Sequence, residues 1–223
     1  MSLLNQNTTP LKIEDWGLTD YWLAFDRQAE MVQKRVAGEG TDTLVIVEHP
    51  TTVTLGRRAT QADLHYPEKF FSERGITVQK INRGGLATAH EPGQLVVYPI
   101  VELKTKDLRW FANQFLNVVI SFLADYGVQG DLKEGEPGVW VEGRKICSFG
   151  IALKKWVSSH GIALNINNSL DTFAMIVPCG QPSEVVTSLS KELGQSVDMA
   201  KAKNRFIGYF CAAFGYHNQS EDN

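Results

Sequence analysis

The sequence predicts a mixed α/β fold in a single domain over residues 1–223, and three observations support this class. The length of 223 residues suits one domain, or one domain with a small appendage. Hydrophobic residues make up 43% of the chain and charged residues 21%, which allows a sizeable core and excludes disorder. Segments with helical spacing alternate with β-branched segments, as in domains that combine a sheet with helices.

The first half of the chain alternates helices with short strands. Apolar residues recur at helical spacing from Tyr21 to Val36, with Thr19 or Asp20 as the N-cap and Gly38 just beyond the end. The other elements predicted here are β segments at 44–48 and 52–55, a short helix between Pro67 and Gly75, and strands at 76–81 and 94–103.

The second half begins with the clearest helical pattern and then changes period. Asp107 caps this helix, and one apolar stripe runs from Leu108 to Tyr126 before Gly127 ends it. Strands joined by tight turns are predicted next, at 139–141, 145–157 and 160–166, followed by helices at 183–193 and 199–214. The order predicts a sheet flanked by helices, with a meander in its second half.

Charge, hydropathy and cysteine content exclude several classes of function. The chain has 22 Lys and Arg against 25 Asp and Glu, a net charge of −3 that gives nucleic-acid binding no support. No apolar run approaches the roughly 18 residues of a membrane span, and no targeting segment is visible, so we expect a cytoplasmic protein with no membrane role. Cys147, Cys179 and Cys211 are too far apart for a disulfide framework or a zinc cluster.

Three segments contain residue choices that packing alone does not explain. In Arg83–Gln94, paired glycines follow the permanently charged Arg83, and glycines let a backbone approach a ligand closely. An ordinary loop between two strands is an equally good interpretation. In Gly143–Leu153, Lys145 shares a strand face with Cys147, and the alternative is an edge strand with Lys145 in water. Cys179 lies in a Pro-Cys-Gly sequence ahead of a predicted helix, a context that lowers a thiol pKa.

Taken together, the segments RGGLATAHEPGQ, GRKICSFGIAL, SHGIALNIN and PCG, with LGRR upstream, resemble the octanoyltransferase family of lipoate biosynthesis. The resemblance runs from about residue 20 to residue 200, in the family's order and spacing. It implies the α/β catalytic-domain fold of biotin and lipoate protein ligases. It also implies transfer of an octanoyl group from acyl carrier protein to a lysine of lipoyl domains, those of 2-oxoacid dehydrogenases and the glycine cleavage H protein, with no cofactor and no metal.

The same resemblance implies which residues form the site. Cys179 becomes the acyl thioester, Lys145 activates its thiol, and His90 is a candidate for assisting proton transfer. The residues implied to border the acyl group are Arg83, Gly84, Gly85, Leu86, Ala87, Thr88, Ala89, His90, Ser148, Phe149, Gly150, Gly161, Ile162 and Ala163.

Two positions depart from the family pattern, which has Tyr where Ala89 stands and Gly where Glu91 stands. A carboxylate at Glu91 raises the pKa of a nearby thiol if it faces the site, and Ala89 leaves the space that Tyr fills. These changes bear on acyl-chain preference and rate more than on the class of reaction.

Other interpretations of the same residues stay open. An ATP-dependent lipoate or biotin ligase is the nearest, although no additional glycine-rich basic loop for phosphates is visible. A non-catalytic protein that binds acyl carrier or lipoyl domains is another, and Cys147 is a rival nucleophile. Acidic partner domains would need a local basic patch, for which the candidates are Arg57, Arg58, Lys104, Lys106, Arg109, Lys154 and Lys155.

Overall fold

The computed structural model describes residues 9–177 and 186–219. Its strands are β1 (Thr9–Leu18), β2 (Thr43–Glu48), β3 (Thr52–Leu55), β4 (Thr77–Lys80), β5 (Ala87–His90), β6 (Gln94–Ile100), β7 (Asp131–Lys133), β8 (Glu136–Val141), β9 (Arg144–Lys154), β10 (Val157–Asn165) and β11 (Tyr216–Asn218). Its helices are α1 (Tyr21–Ala37), α2 (Glu68–Ser72), α3 (Leu108–Ala124), α4 (Leu189–Leu193) and α5 (Met199–Phe214), with 3₁₀ helices at Gln61–Asp63 and Asp171–Met175.

Two sheets organise these elements. The larger has the strand order β11-β1-β2-β6-β10-β9-β8-β7 and the smaller has the order β4-β3-β5. From β2 to β7 the neighbouring strands are antiparallel, whereas β1 runs parallel to both β2 and β11. This confirms the predicted mixed sheet and the meander formed by β8, β9 and β10.

Helices cover both faces of the larger sheet. Along β2, Leu44 and Ile46 pack into one buried cluster with α3 and α5, while Val45 and Val47 pack into another with Val32 of α1. Both faces of β2 are therefore buried, which explains its continuous apolar sequence. Among the described residues, no helix is long and apolar enough to cross a membrane.

Capping residues set the ends of the main helices, as the sequence predicts. The side chain of Asp20 accepts hydrogen bonds from the backbone N–H groups of Trp22 and Leu23, and Gly38 ends α1 with a φ of 81°. The side chain of Asp107 caps α3 in the same way, through the N–H of Trp110. These local signals confirm both helices within a residue or two of the predicted bounds.

The structure differs from the sequence prediction in several elements. Residues 87–90 form strand β5 instead of a loop, and β1, β7 and β11 were not predicted. The turn between β9 and β10 lies at Lys155 and Trp156, which both have positive φ.

The predicted helix at 183–193 is wrong for 186–188. Val186 forms a β bridge with Lys145, and helix α4 begins only after Ser188, whose side chain caps it. Residues 183–185 lie outside the described residues.

Candidate active site

A cavity, here called the inner cavity, lies between α1, β5 and the centre of the larger sheet. Its lining residues are Tyr21, Arg83, Gly85, Thr88, His90, Val96, Tyr98, Ser148, Phe149, Gly150, His160, Gly161, Ile162 and Ala163. The structure therefore brings together most of the residues predicted to border the acyl group.

Strand β10 can lie against this cavity because residue 161 is glycine. A Cβ atom there would overlap the carbonyl oxygen of Val97 and lie 2.9 Å from Cδ of Pro99. Gly150 is also confined, since a Cβ would lie 3.2 Å from Cδ of Arg83. Close backbone packing thus leaves room for a ligand on the side of Phe149 and Ile162.

Four predicted contact residues do not line the inner cavity, and two of these, Ala87 and Ala89, point away from it. Ala87 and Ala89 are fully buried in a separate apolar cluster beneath the smaller sheet, together with Val53 and Phe173. Residues of a strand alternate between its faces, so Thr88 and His90 point toward the cavity while the two alanines point away.

A second cavity of about 770 Å³, here called the Lys145 cleft, adjoins the first. Gly85, Phe149 and Gly150 line both cavities. The other residues of the Lys145 cleft are Arg58, Gly84, Leu86, Leu108, Gly135, Glu136, Pro137, Lys145 and Ile151. Gly84 and Leu86, both predicted as acyl contacts, are thus at the cleft and not at the inner cavity.

Lys145 is buried in this cleft, with 4% of its surface exposed. Its Nζ donates a hydrogen bond to the carbonyl oxygen of Pro137 at 3.3 Å and lies 4.7 Å from the ring centroid of Trp140. Strand β9 has β8 on one side and β10 on the other, so the alternative of an edge strand with Lys145 in water is wrong. A buried ammonium with so few partners is typical of a functional group.

The prediction that Lys145 and Cys147 share a face is wrong as well. Cys147 pairs with Val139 of β8, and Lys145 pairs with the next residue, Trp140, so Ile146 is an extra residue in β9. Such a bulge reverses the alternation, and Lys145 faces the same side as Trp140 while Cys147 faces the side of Val139.

Cys147 is part of the main core. It is fully buried, its Sγ donates to the carbonyl oxygen of Ser148 at 3.5 Å, and burial raises the pKa of its thiol. A thiol that is neutral and enclosed is a poor nucleophile, which favours packing as its role. Cys211 packs against the same core from α5.

Buried polar residues form a hydrogen-bonded network behind the inner cavity. Nη2 of Arg83 donates to the carbonyl oxygen of Thr54 at 2.8 Å and to Oγ1 of Thr54 at 3.0 Å. His90 donates from Nδ1 to Oε1 of Gln94 at 2.9 Å, and Nε2 of Gln94 donates to Oδ1 of Asn165 at 2.9 Å. The network holds Arg83 and His90 in fixed orientations beside the cavity.

The histidines of this region are neutral. Burial lowers the pKa of His90 well below its ordinary value, with the nearby His49 as a further cause. Burial also lowers the pKa of His49 and of His160 to about 4. His49 donates from Nδ1 to the carbonyl oxygen of Thr19 and accepts the hydroxyl proton of Tyr98 at Nε2.

The carboxylate of Glu91 is directed at residues 168–172. It is 3% exposed and accepts hydrogen bonds from Nδ2 of Asn168 at 3.1 Å and from the N–H groups of Leu170 at 2.8 Å and Thr172 at 2.7 Å. Glu91 therefore fixes the start of the 3₁₀ helix at Asp171–Met175.

Cys179 lies outside the described residues, which end before it at Val177 and resume after it at Val186, beside Lys145. The N–H of Val177 donates to the carbonyl oxygen of Asp63 at 2.9 Å. After the gap, Val186 forms a bridge with Lys145, and the N–H of Thr187 donates to the carbonyl oxygen of Lys145 at 2.9 Å.

Four cavity residues were not selected from the sequence: Tyr21, Val96, Tyr98 and His160. Tyr21, Tyr98 and Val96 follow the pattern of core residues, so the sequence did not mark them as site residues. His160 directly precedes Gly161, which was selected. An ionisable side chain within an apolar strand is unusual, and this could have identified His160 as a site residue. Within the described ranges, no group of three His, Cys, Asp or Glu side chains is placed to hold a metal ion.

Comparison with known proteins identifies the family. The lipoyl protein ligase A/B catalytic domain matches residues 20–211. An octanoyltransferase of Rubrobacter xylanophilus is 42% identical over 201 residues, covering 89% of this chain and 91% of its own length. An octanoyltransferase of Roseiflexus sp. is 43% identical over 209 residues, covering 92% of this chain and 87% of its own length.

Solved structures show the same fold at low identity. A putative lipoate protein ligase from T. acidophilum with bound lipoic acid aligns with a TM-score of 0.74 at 15% identity, over 95% of this chain and 88% of its own. Biotin protein ligase from Aquifex aeolicus in complex with biotin and ATP aligns with a TM-score of 0.51 at 13% identity, over 92% and 70%. The curated relatives at about 40% identity are octanoyltransferases, so this chain is an acyltransferase. It belongs to the lipoyl protein ligase A/B catalytic-domain family.

Proposed function

We propose that this enzyme transfers an octanoyl group from acyl carrier protein to a lysine of a lipoyl domain through a thioester on Cys179. The acceptors are the lipoyl domains of 2-oxoacid dehydrogenases and the glycine cleavage H protein, and the reaction is cytoplasmic. One observation carries the proposal: the buried Lys145 lies in a cleft that joins the inner cavity at Gly85, Phe149 and Gly150. A reactive group beside a mainly apolar cavity is what acyl transfer requires.

The inner cavity suits the octanoyl tail. Val96, Phe149, Ile162 and Ala163 contribute apolar walls, and burial of the seven carbons beyond the carbonyl contributes roughly 5 kcal/mol at about 0.8 kcal/mol per methylene. In this proposal the carbonyl end of the tail lies near Phe149, which lines both cavities, and faces the Lys145 cleft.

Chain connectivity supports Cys179 as the nucleophile. Ile176 and Val186 belong to one buried cluster, and Val186 is bridged to Lys145. Cys179 follows Ile176 by three residues in the sequence. An ammonium close to a thiol favours its charged form and so lowers its pKa, which makes it a better nucleophile.

The chemistry balances without a further reactant. The Cys179 thiolate attacks the carbonyl carbon of the donor thioester, the carrier sulfur leaves, and the Lys145 ammonium supplies the proton that makes it a thiol. The neutral amine of the acceptor lysine then attacks the acyl-enzyme, the bond to Cys179 breaks, and Lys145 takes the amine proton.

Intact-protein mass after incubation with octanoyl-acyl carrier protein tests the proposal. We expect a hydroxylamine-labile octanoyl adduct on the wild type and on Cys147→Ser, no adduct on Cys179→Ser, and slow formation on Lys145→Ala. The wild-type adduct should pass its acyl group to an added lipoyl domain without ATP.

Three outcomes would contradict it. An adduct that survives loss of Cys179 removes the assigned nucleophile. An octanoyl group transferred only with ATP supports a ligase, and binding of both partner domains without any adduct supports a non-catalytic protein.

A further inference from the structure

The rim of the Lys145 cleft is a turn held against the glycine-rich loop by three backbone hydrogen bonds. The N–H groups of Gly56, Arg57 and Arg58 donate to the carbonyl oxygens of Leu86 at 3.2 Å, Arg83 at 3.0 Å and Gly85 at 3.2 Å. A Cβ at residue 56 would lie 2.5 Å from the carbonyl oxygen of Gly85, so only glycine allows this approach. The backbone of Arg58 is therefore fixed at the cleft.

The two arginines of the turn are both exposed but differ in their surroundings. Nε of Arg57 donates to the carbonyl oxygen of Asn82 at 2.7 Å, and Arg57 does not line the cleft. Arg58 lines the cleft and forms no ion pair with any residue that the structure describes. The cleft lining therefore contains two basic side chains, those of Arg58 and Lys145, and one carboxylate, that of Glu136.

The remaining lining has two features. Leu86, Leu108, Phe149 and Ile151 provide apolar surface. Glycines at 84, 85, 135 and 150 bring the backbone, with its amide groups, to the wall of the cleft. A ligand that suits the cleft is thus a slender chain with apolar segments and amide groups, and with one anionic group at the Arg58 end.

We propose that the Lys145 cleft binds the phosphopantetheine arm that carries the donor thioester, and that Arg58 binds its phosphate group. This rests on the proposed function, which requires an acyl thioester to reach the boundary between the two cavities. The arm has a thioester at one end, two amides along its length and a phosphodiester at the other end. A guanidinium matches a phosphate in charge and in hydrogen-bond geometry.

Steady-state acylation with matched donors tests Arg58. The donors are octanoyl-pantetheine, which has no phosphate, octanoyl-phosphopantetheine, and octanoyl-acyl carrier protein. For the wild type we expect KM to be about five-fold lower with the phosphorylated small donor, the size expected for one exposed charge-assisted contact, and the difference should shrink at high salt. The kcat should be equal for the two small donors.

Variants then separate the phosphate contact from general effects. Arg58→Gln should raise KM for octanoyl-phosphopantetheine to that for octanoyl-pantetheine, Arg58→Lys should keep part of the preference, and the matched control Arg57→Gln should keep all of it. All three substitutions are at exposed positions, and their thermal unfolding should match the wild type.

Several results would overturn the inference. It fails if Arg58→Gln keeps the preference for the phosphorylated donor, or if Arg57→Gln loses it equally. It fails also if Arg58→Gln weakens only octanoyl-acyl carrier protein, since Arg58 would then contact the carrier's acidic surface. If no donor acylates the wild type, the proposed function itself is wrong and the inference falls with it.

Discussion

Mild acid should destabilise this protein, because neutral histidines are buried around the inner cavity. His49 and His160 have pKa values of about 4, with burial as the largest cause, and burial lowers the pKa of His90 still more clearly. His49 is enclosed by the carbonyl oxygen of Thr19 and the hydroxyl of Tyr98, so a second proton on Nε2 requires the hydrogen bond to Tyr98 to reverse its direction.

The sign follows from proton binding in the two states. An exposed histidine in the unfolded chain binds a proton near pH 6.5, whereas His49 and His160 in the folded chain do so only near pH 4. The unfolded state therefore binds more protons in this window, and the free energy of unfolding decreases as the pH falls from 6.5 to 4. Each of the two contributes about 3 kcal/mol, against a total of about 5–15 kcal/mol for an ordinary domain.

Urea unfolding followed by tryptophan fluorescence, at intervals from about pH 7 down to about pH 4.5, measures this effect. His49→Gln keeps one hydrogen-bond donor and one acceptor but cannot be protonated. Between pH 6.5 and pH 4 its free energy of unfolding should therefore fall by about 3 kcal/mol less than that of the wild type. His65→Gln removes an exposed histidine and is the matched control, which should follow the wild type.

The reasoning would be refuted by a wild-type free energy of unfolding that stays constant from neutral pH down to the acid limit. It would also be refuted by parallel pH curves for His49→Gln and the wild type, because the carboxylates common to both would then account for the whole acid loss.

Three further substitutions have clear expected outcomes. Glu91→Gln keeps one acceptor oxygen for three donors, so the free energy of unfolding in urea should fall by roughly 2–4 kcal/mol, while Glu73→Gln at an exposed site should change it little. Gly161→Ala should cost about 1–3 kcal/mol and slow acylation in the intact-mass assay, because the methyl group meets the Val97 carbonyl; unchanged stability would contradict the close packing. Gly208→Ala, with open space around its helical position, should instead raise the thermal midpoint, in line with a gain of about 0.5–1 kcal/mol; a decrease would contradict it.

Local signals were enough to predict the helices, whereas features that depend on a partner strand were not. Helix α5 begins after the Asp198 cap and ends before Gly215, and both are legible in the sequence. Strand β1 was not predicted because only Leu11 of its ten residues is buried, so it has no alternating pattern. The bulge at Ile146 depends on how β9 pairs with β8, which no local pattern records.

The same distinction applies to the site. Part of the glycine-rich segment lines the two cavities, but treating the segment as a loop placed Ala87 and Ala89 with Thr88 and His90, which the alternation of β5 separates. Tyr21 and Tyr98 were not selected because an aromatic residue in a buried helix or strand resembles core in sequence.

The bulge at Ile146 has a consequence for how this active site tolerates change in evolution. Lys145 reaches its cleft because β9 contains one residue more than the paired stretch of β8. An insertion of one residue between Val139 and Trp140 would leave every motif residue in the sequence, yet it would pair with Ile146, remove the bulge and turn the lysine toward the face of Cys147. The difference in length between the paired stretches of β8 and β9, and not only residue identity, is therefore under selection here, and an insertion between Val139 and Trp140 should be tolerated far less than a substitution.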